Sequence, residues 1–147
     1  MKKVILIRHS FAEDAGRGQH DSDRILSQKG IHVAQTMGRL LAKKVSAVDD
    51  IISSSAVRAA STARIIASEL EKNSSDPHLS YSLYENDVDR YAETVWSAKE
   101  TQNCIAVVGH NPVISEFSYW LTGIFHDFPP CGILLVDLDA EKWTEVV

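Results

Sequence analysis

The chain has only two cysteines, Cys104 and Cys131, and each sits in apolar, strand-like sequence. Two thiols make no disulfide framework, so both read as buried free cysteines in a reducing compartment. Long apolar runs are missing as well. The opening "MKKVILIRHS" sets two lysines before an apolar stretch, but that stretch ends after Ile7, at Arg8, too short for a secretory leader. No segment approaches the ~20 apolar residues of a membrane-spanning helix. These absences lead us to expect a soluble, cytoplasmic protein with no membrane partner. Positive charge is also in deficit: 15 Lys and Arg against 20 Asp and Glu give a net charge of −5. Wholesale binding to nucleic acid or an anionic membrane is therefore not expected, and any anion site must be a local basic pocket in an acidic chain. Internal repeats, linkers and low-complexity tracts are absent too, so residues 1–147 read as a single domain.

What is present is an alternation of strand and helix patterns. Val4 to Ile7 is a continuous apolar run rich in β-branched residues, as a strand covered on both faces requires. "LSQKGIHVAQTMGRLLAKK" places Ile31, Ala34, Met37, Leu40 and Leu41 at helical spacing, with Ser27 as its cap. "DIISSS" reads as a second strand, and "AVRAASTARIIASELEK" as a helix by its alanine content and the spacing of Ala59, Ala63, Ile66 and Leu70. A polar turn is expected at 73–78. "LSYSLY" alternates as a strand does, and "DVDRYAETVWSAK" is helical with Val88, Tyr91, Val95 and Trp96 inward. "CIAVVGH" repeats the opening pattern of a buried strand ending in a basic residue. A helix follows from about Pro112 to Leu121, then the strand "GILLVDLD", and "KWTEVV" is a further edge-strand candidate. Trp96, Trp120 and Trp143 are assigned to the core or its rim. The order predicts an α/β domain of three layers, with a mostly parallel central sheet and helices on both faces.

In such sheets ligands bind at the carboxyl ends of the strands. Arg8 and His9 lie at the end of the first strand and His110 at the end of "CIAVVG". Arg58 lies in the first turn of the helix after the second strand, and Glu85 follows "LSYSLY". Taken singly, each has an unremarkable reading as a surface or partly buried polar residue. Arg58 is nevertheless a cation in a first helical turn, where it opposes the helix dipole unless an anion binds there. In "GHNP", Gly109 permits close backbone approach, Asn111 suits a cap and Pro112 a first helical position, which sets His110 beside a helix N-terminus. Two arginines and two histidines converging on one edge are costly without an anionic ligand, and phosphate fits.

These segments resemble the histidine phosphatase superfamily, the phosphoglycerate mutase-like fold. "LIRHS" is similar to its Arg-His-Gly signature with Ser10 in place of glycine. "SSSAVRAASTA" is similar to its Ser-Ser-Pro-x-x-Arg-Ala-x-x-Thr-Ala segment with Ser55 in place of proline, and "VVGHNP" to its second histidine motif. The resemblance runs from residue 4 to about 138. "DSDRILSQKG" and "PPCGILLVDLD" look like the small SixA-type branch, the phosphohistidine phosphatases.

The resemblance implies roles. His9 becomes the nucleophile, forming a phosphohistidine intermediate, while Arg8, Arg58 and His110 hold the phosphoryl oxygens. Ser10 and Arg24 become further substrate contacts, while Arg17 reads as a solvated surface arginine. Glu85 is the candidate general acid. No metal or other cofactor is implied, and the acidic loop "EDAGRGQHDSDR" reads as a solvated polar loop rather than a metal site. His20, His32, His78 and His126 show no ligand spacing among themselves.

Only residues 73–103 separate the second helix from "CIAVVGH". Relatives acting on small phosphoesters carry a longer, enclosing insertion there, so an open site and a phosphorylated protein partner, such as a histidine phosphotransfer domain, are implied. An imidazole leaving group, with a pKa of ~6.5, departs with little acid help, whereas an alkoxide needs a proton. Two alternatives stay open: a phosphatase for a small phosphoester using Glu85 as acid, and a non-catalytic phosphoprotein-binding module.

Overall fold

The computed structural model describes residues 1–70 and 76–146. Five strands and four helices alternate along it: β1 (Lys2–Arg8), α1 (Gln28–Lys44), β2 (Asp50–Ser54), α2 (Val57–Leu70), β3 (His78–Ser80), α3 (Val88–Trp96), β4 (Cys104–Gly109), α4 (Val113–Thr122) and β5 (Ile133–Leu138). The strands form one sheet in the order β3-β2-β4-β1-β5. All pairings are parallel except β1 with β5, which run antiparallel. This is the mixed, mostly parallel three-layer fold that the alternation predicts.

The apolar run of β1 serves two cores at once. Val4 and Leu6 face α3 and α4, packing with Tyr91, Val95 and Phe117. Ile5 and Ile7 face α1 and α2, packing with Ala34, Leu41, Ala63 and Ile66. Each of these four β1 side chains is fully buried, a contribution of about 1.5–3 kcal/mol apiece. The run from Val4 to Ile7 is apolar because both of its faces are covered, and Arg8, where β1 ends, is the next residue to be partly exposed.

Helix α1 begins as expected, with Ser27 Oγ accepting from the Gly30 N–H at 3.1 Å. Its buried face is Gly30, Ala34, Gly38 and Leu41, so Leu40, expected inside, is exposed. The helix is turned by its glycines. A Cβ on Gly38 would strike Glu69 and Ile66 of α2, and one on Gly30 would strike the Phe11 carbonyl, so both helix contacts close on bare backbone.

Three local expectations need correction. "LSYSLY" is a strand only as far as Ser80; Tyr81–Tyr84 wind into a 3-10 turn that buries Leu83 alone. "KWTEVV" is not an edge strand: Trp143–Glu145 form a 3-10 turn, and Trp143 is fully buried with its indole N–H donating to Lys99 O and Gln102 O. Trp96 lies at the rim of the core and is half-exposed, stacked edge-on against Trp120. Of the turn expected at 73–78, residues 73–75 lie outside the described residues and His78 already belongs to β3.

Candidate active site

The parallel register of β1 and β4 sets Arg8 beside Gly109, so His9 and His110 are the next residues out on adjacent strands. The His9 N–H donates to Gly109 O at 3.0 Å, which fixes the two histidine backbones together. Their rings lie with centroids 5.2 Å apart. Gly109 is required here: a Cβ would collide with the Tyr91 ring and hydroxyl. That hydroxyl accepts from the His110 N–H (3.1 Å) and donates to Leu83 O (3.1 Å), bracing the end of β4 from below.

Arg58 enters from the first turn of α2 and is only 7% exposed. Its Nη2 lies 3.5 Å from His110 Nδ1. One turn later on α2, the Thr62 hydroxyl donates to Arg58 O (2.7 Å) and accepts from the Ser10 N–H (3.0 Å), tying the exit of β1 to the helix that carries Arg58. Arg8 donates from Nη1 to Phe128 O at 2.8 Å, in the segment between α4 and β5. The Nε–H groups of Arg8 and Arg58 are both buried with no acceptor among the described residues.

Together Arg8, His9, Arg24, Arg58 and His110 line one hollow of about 460 Å³. The structure thus brings together the four principal residues picked out in the sequence, and Arg24 with them. Two others are not brought in. Glu85 is exposed, does not line the hollow, and pairs with Arg90 at 3.6 Å. It points away because Tyr84 and Asn86, on either side of it, are the residues that face the site. Ser10 is fully buried, its hydroxyl donating to Gly30 O at 2.8 Å, so it serves the packing of α1 rather than a ligand. Arg17 is exposed and outside the lining, as a solvated surface arginine should be. Asn111 does not cap α4: its Oδ1 accepts from the Ser115 hydroxyl and its Nδ2 donates to Phe128 O, while Pro112 occupies the N-cap.

Three contributors escaped the sequence reading. Asp21 is the chief one. Its main-chain oxygen accepts from Arg58 Nη1 (2.8 Å), Oδ2 from Arg58 Nη2 (2.9 Å) and Oδ1 from Arg24 Nη1 (3.0 Å). The Tyr84 hydroxyl donates to the same Oδ2 at 2.7 Å, and the Tyr84 ring stands edge-on to His110. Asp21 lay in a loop read as solvated, and Tyr84 in a segment read as strand. The spacing of Asp21, three residues before Arg24, was the one available hint. Ser54, at the end of β2, is the third: its Oγ is 2.8 Å from His110 Nε2.

The electrostatics follow from this packing. His9 is pushed down to about 4, first by burial and then by the nearby Arg58, Arg8 and Arg24 guanidiniums, against the opposing pull of its bond to Ser10 O. His110 is pushed down to about 3 by burial, with His9 and Arg58 adding to it. Both imidazoles are neutral at pH 7. The Asp21 carboxyl is held below its ordinary range, chiefly by the Tyr84 hydroxyl and further by Arg24 and Arg58. It is therefore a fixed carboxylate that orients two guanidiniums. Its bond in turn raises the Tyr84 phenol. His9 Nδ1 is 2.7 Å from Ser10 O, and a carbonyl only accepts, so the ring proton sits on Nδ1 and Nε2 carries a free lone pair. Among the described residues, no group of three or more His, Cys, Asp or Glu side chains is placed to hold a metal ion.

The chain belongs to the histidine phosphatase superfamily (branch 1), whose model matches residues 4–96. Within the superfamily its structural similarity leads to SixA. A protein of Agrobacterium tumefaciens named for the phosphohistidine phosphatase SixA superposes with a TM-score of 0.84 at 25% identity, over 92% of this chain and 91% of that one. Another so named, from Nakamurella multipartitia, gives 0.72 at 28% identity over 82% and 65%. A mycobacterial glucosyl-3-phosphoglycerate phosphatase shares the fold at 16% identity, with a TM-score of 0.68 over 91% of this chain and 89% of that one. An uncharacterised protein of Mycobacterium leprae (strain TN) is 27% identical over 135 residues, which is 84% of this chain and 79% of that protein.

Proposed function

We propose that this phosphatase removes the phosphoryl group from phosphohistidine on a protein substrate. The observation that carries the reading is the state of His9: neutral, with Nδ1–H committed to Ser10 O and Nε2 turned free among the guanidiniums. The Nε2 lone pair attacks phosphorus, and the bond from phosphorus to the substrate imidazole breaks with its electron pair leaving on that imidazole. Arg8, Arg24, Arg58 and His110 surround the hollow in which the phosphoryl oxygens lie through this transfer, where preorganised donors are most effective. The Nδ1–H bond to Ser10 O eases the positive charge that His9 acquires. Water then attacks phosphorus, the His9 nitrogen leaves with its lone pair restored, and inorganic phosphate departs.

The preference for phosphohistidine over an ester is supported by the acids available. Asp21 is an ionised acceptor with every close contact taken up by donors, and Glu85 lies outside the hollow. That leaves the described pocket without a carboxylic acid to protonate an alkoxide, which suits a leaving imidazole. Access supports it too. Between β3 and β4 the chain has only the Tyr81–Tyr84 turn and the nine-residue α3. An exposed side chain on a partner such as a histidine phosphotransfer domain reaches such a site without enclosure.

The test is to assay wild type and His9→Ala on a phosphohistidine protein and on a panel of small phosphoesters, with chelator present. We expect phosphohistidine turnover by the wild type alone, with acid-labile phosphate trapped on His9. Efficient ester turnover with the phosphoprotein untouched would overturn the substrate assignment. Phosphoprotein binding without any turnover would assign a binding module instead.

A further inference from the structure

His110 must present a donor to bind a phosphoryl oxygen while neutral, and which nitrogen carries its proton is decided outside the hollow. The Nε2 edge faces away from the hollow to Ser54 Oγ at 2.8 Å, in a fully buried contact. Ser54 Oγ already accepts from the Ala56 N–H at 3.2 Å, at the entry to α2. The Ser54 carbonyl is taken by the Ser53 hydroxyl at 2.9 Å. Among the described residues, the Ser54 hydroxyl proton has no acceptor except His110 Nε2. Placing a proton on Nε2 instead would strand a buried hydroxyl proton, which native interiors avoid.

We propose that Ser54 is a positioning residue: its hydroxyl donates to His110 Nε2, fixes the Nδ1–H tautomer, and so turns His110 into a neutral donor aimed with Arg58 Nη2 at one phosphoryl oxygen. The opposite edge fits this. Nδ1 and Arg58 Nη2 are 3.5 Å apart, too far for a good bond between them and suitably spaced to share an acceptor oxygen. Arg58 Nη2 meanwhile spends a proton on Asp21 Oδ2 and does not need Nδ1 as an acceptor. His110 is neutral because of its burial and its cationic neighbours, so its usefulness depends on the tautomer rather than on charge. The inference rests on the proposed phosphoryl transfer only for what the donor is for; the tautomer itself is independent of the substrate.

The experiment follows the His110 ring nitrogens by NMR in the full-length 15N-labelled protein at pH 7.5, assigned by their loss in His110→Gln. Inorganic phosphate and vanadate are titrated in, and turnover is read with an aryl phosphate. Wild type should show Nδ1 protonated and Nε2 unprotonated, before and after phosphate is added. In Ser54→Ala the Nε2–H form should appear, and kcat should fall about 10-fold to 100-fold. Affinity for vanadate should fall more than affinity for phosphate. Ser54→Thr, which keeps the hydroxyl, should restore both tautomer and kcat. Wild-type His110 protonated on Nε2 would overturn the proposal, as would Ser54→Ala keeping both tautomer and kcat. A purely structural Ser54 would lower the melting temperature without moving the tautomer. If Ser54→Ala does not fold, the wild-type spectrum decides. A protein inert toward phosphohistidine would refute the substrate assignment and leave this measurement intact.

Discussion

His9 and His110 stand side by side with ring planes tilted 55°, and each is bonded away from the other: Nδ1 of His9 to Ser10 O, Nε2 of His110 to Ser54 Oγ. Each anchoring bond lies outside the hollow and frees the opposite ring edge for it. In the proposed reaction one edge offers a lone pair and the other a proton, the complementary pair that attack on phosphorus needs.

The first consequence is an unusual acid limb. Free histidine would protonate near 6.5, whereas His9 does so at about 4. kcat/KM, corrected for ionisation of the substrate, should stay level from pH 7 down to about 5 and fall only toward 4. An inflection near 6.5 would contradict the neutral, buried nucleophile. Stability follows the same groups. Between 6.5 and about 4 the unfolded chain takes up protons that folded His9 and His110 refuse. Their contribution is therefore full above 6.5 and is lost as pH falls through that window. Denaturant midpoints measured at pH 7.5 and pH 5 should show the decline, and His110→Asn should lessen it.

Asp21 has two opposed effects, and replacing it should separate them. It holds Arg58 and Arg24 in place, and it also cancels one of their charges. In Asp21→Ala, kcat should fall about 10-fold as the guanidiniums lose their alignment. Inorganic phosphate, freed from a competing carboxylate, should inhibit about 3-fold to 10-fold more tightly. Steady-state kinetics with phosphate as inhibitor would expose the split, and a parallel loss of both would refute it.

Glu85→Gln should change little. The Glu85–Arg90 pair is solvent-exposed and screened by water, so its loss costs little. Turnover within about two-fold of wild type is expected, against near-complete loss in His9→Ala. A hundred-fold drop in Glu85→Gln would reinstate it as the proton donor.

Gly109→Ala tests the brace beneath the site. The added methyl would drive Tyr91 aside and break its hydroxyl's bonds to His110 N–H and Leu83 O. A loss of about 2–4 kcal/mol in stability is expected from overpacking plus stranded polar groups. Denaturant titration measures it.

The buried central strands and the edge that carries Arg8, His9 and His110 could be read directly because they obey one-dimensional rules. A fully buried parallel strand must be continuously apolar, as Val4–Ile7 and Ile105–Val108 are, and the residues at its exit lie on the ligand-binding edge. Asp21 obeyed no such rule: it acts across 37 residues on Arg58 and 63 on Tyr84, through a loop whose path only the folded chain defines. Tyr84 was hidden by an alternation that the 3-10 turn broke, and Leu40 by two glycines through which α1 closes on α2 and on the Phe11 main chain. Glu85 was placed on the right segment and the wrong side of it, a difference of one residue that periodicity does not resolve once the strand has ended.

The carbonyl of Phe128 accepts from both Arg8 Nη1 and Asn111 Nδ2, and so holds the ends of two strands to a loop that lends no side chain to the chemistry. An oxygen of the main chain is present whatever residue stands at 128. Its contribution is therefore invisible to alanine scanning and to any comparison of sequences: the side chain there answers only to the core it packs in, while the atom that matters stays put. Removing it takes synthesis rather than mutagenesis.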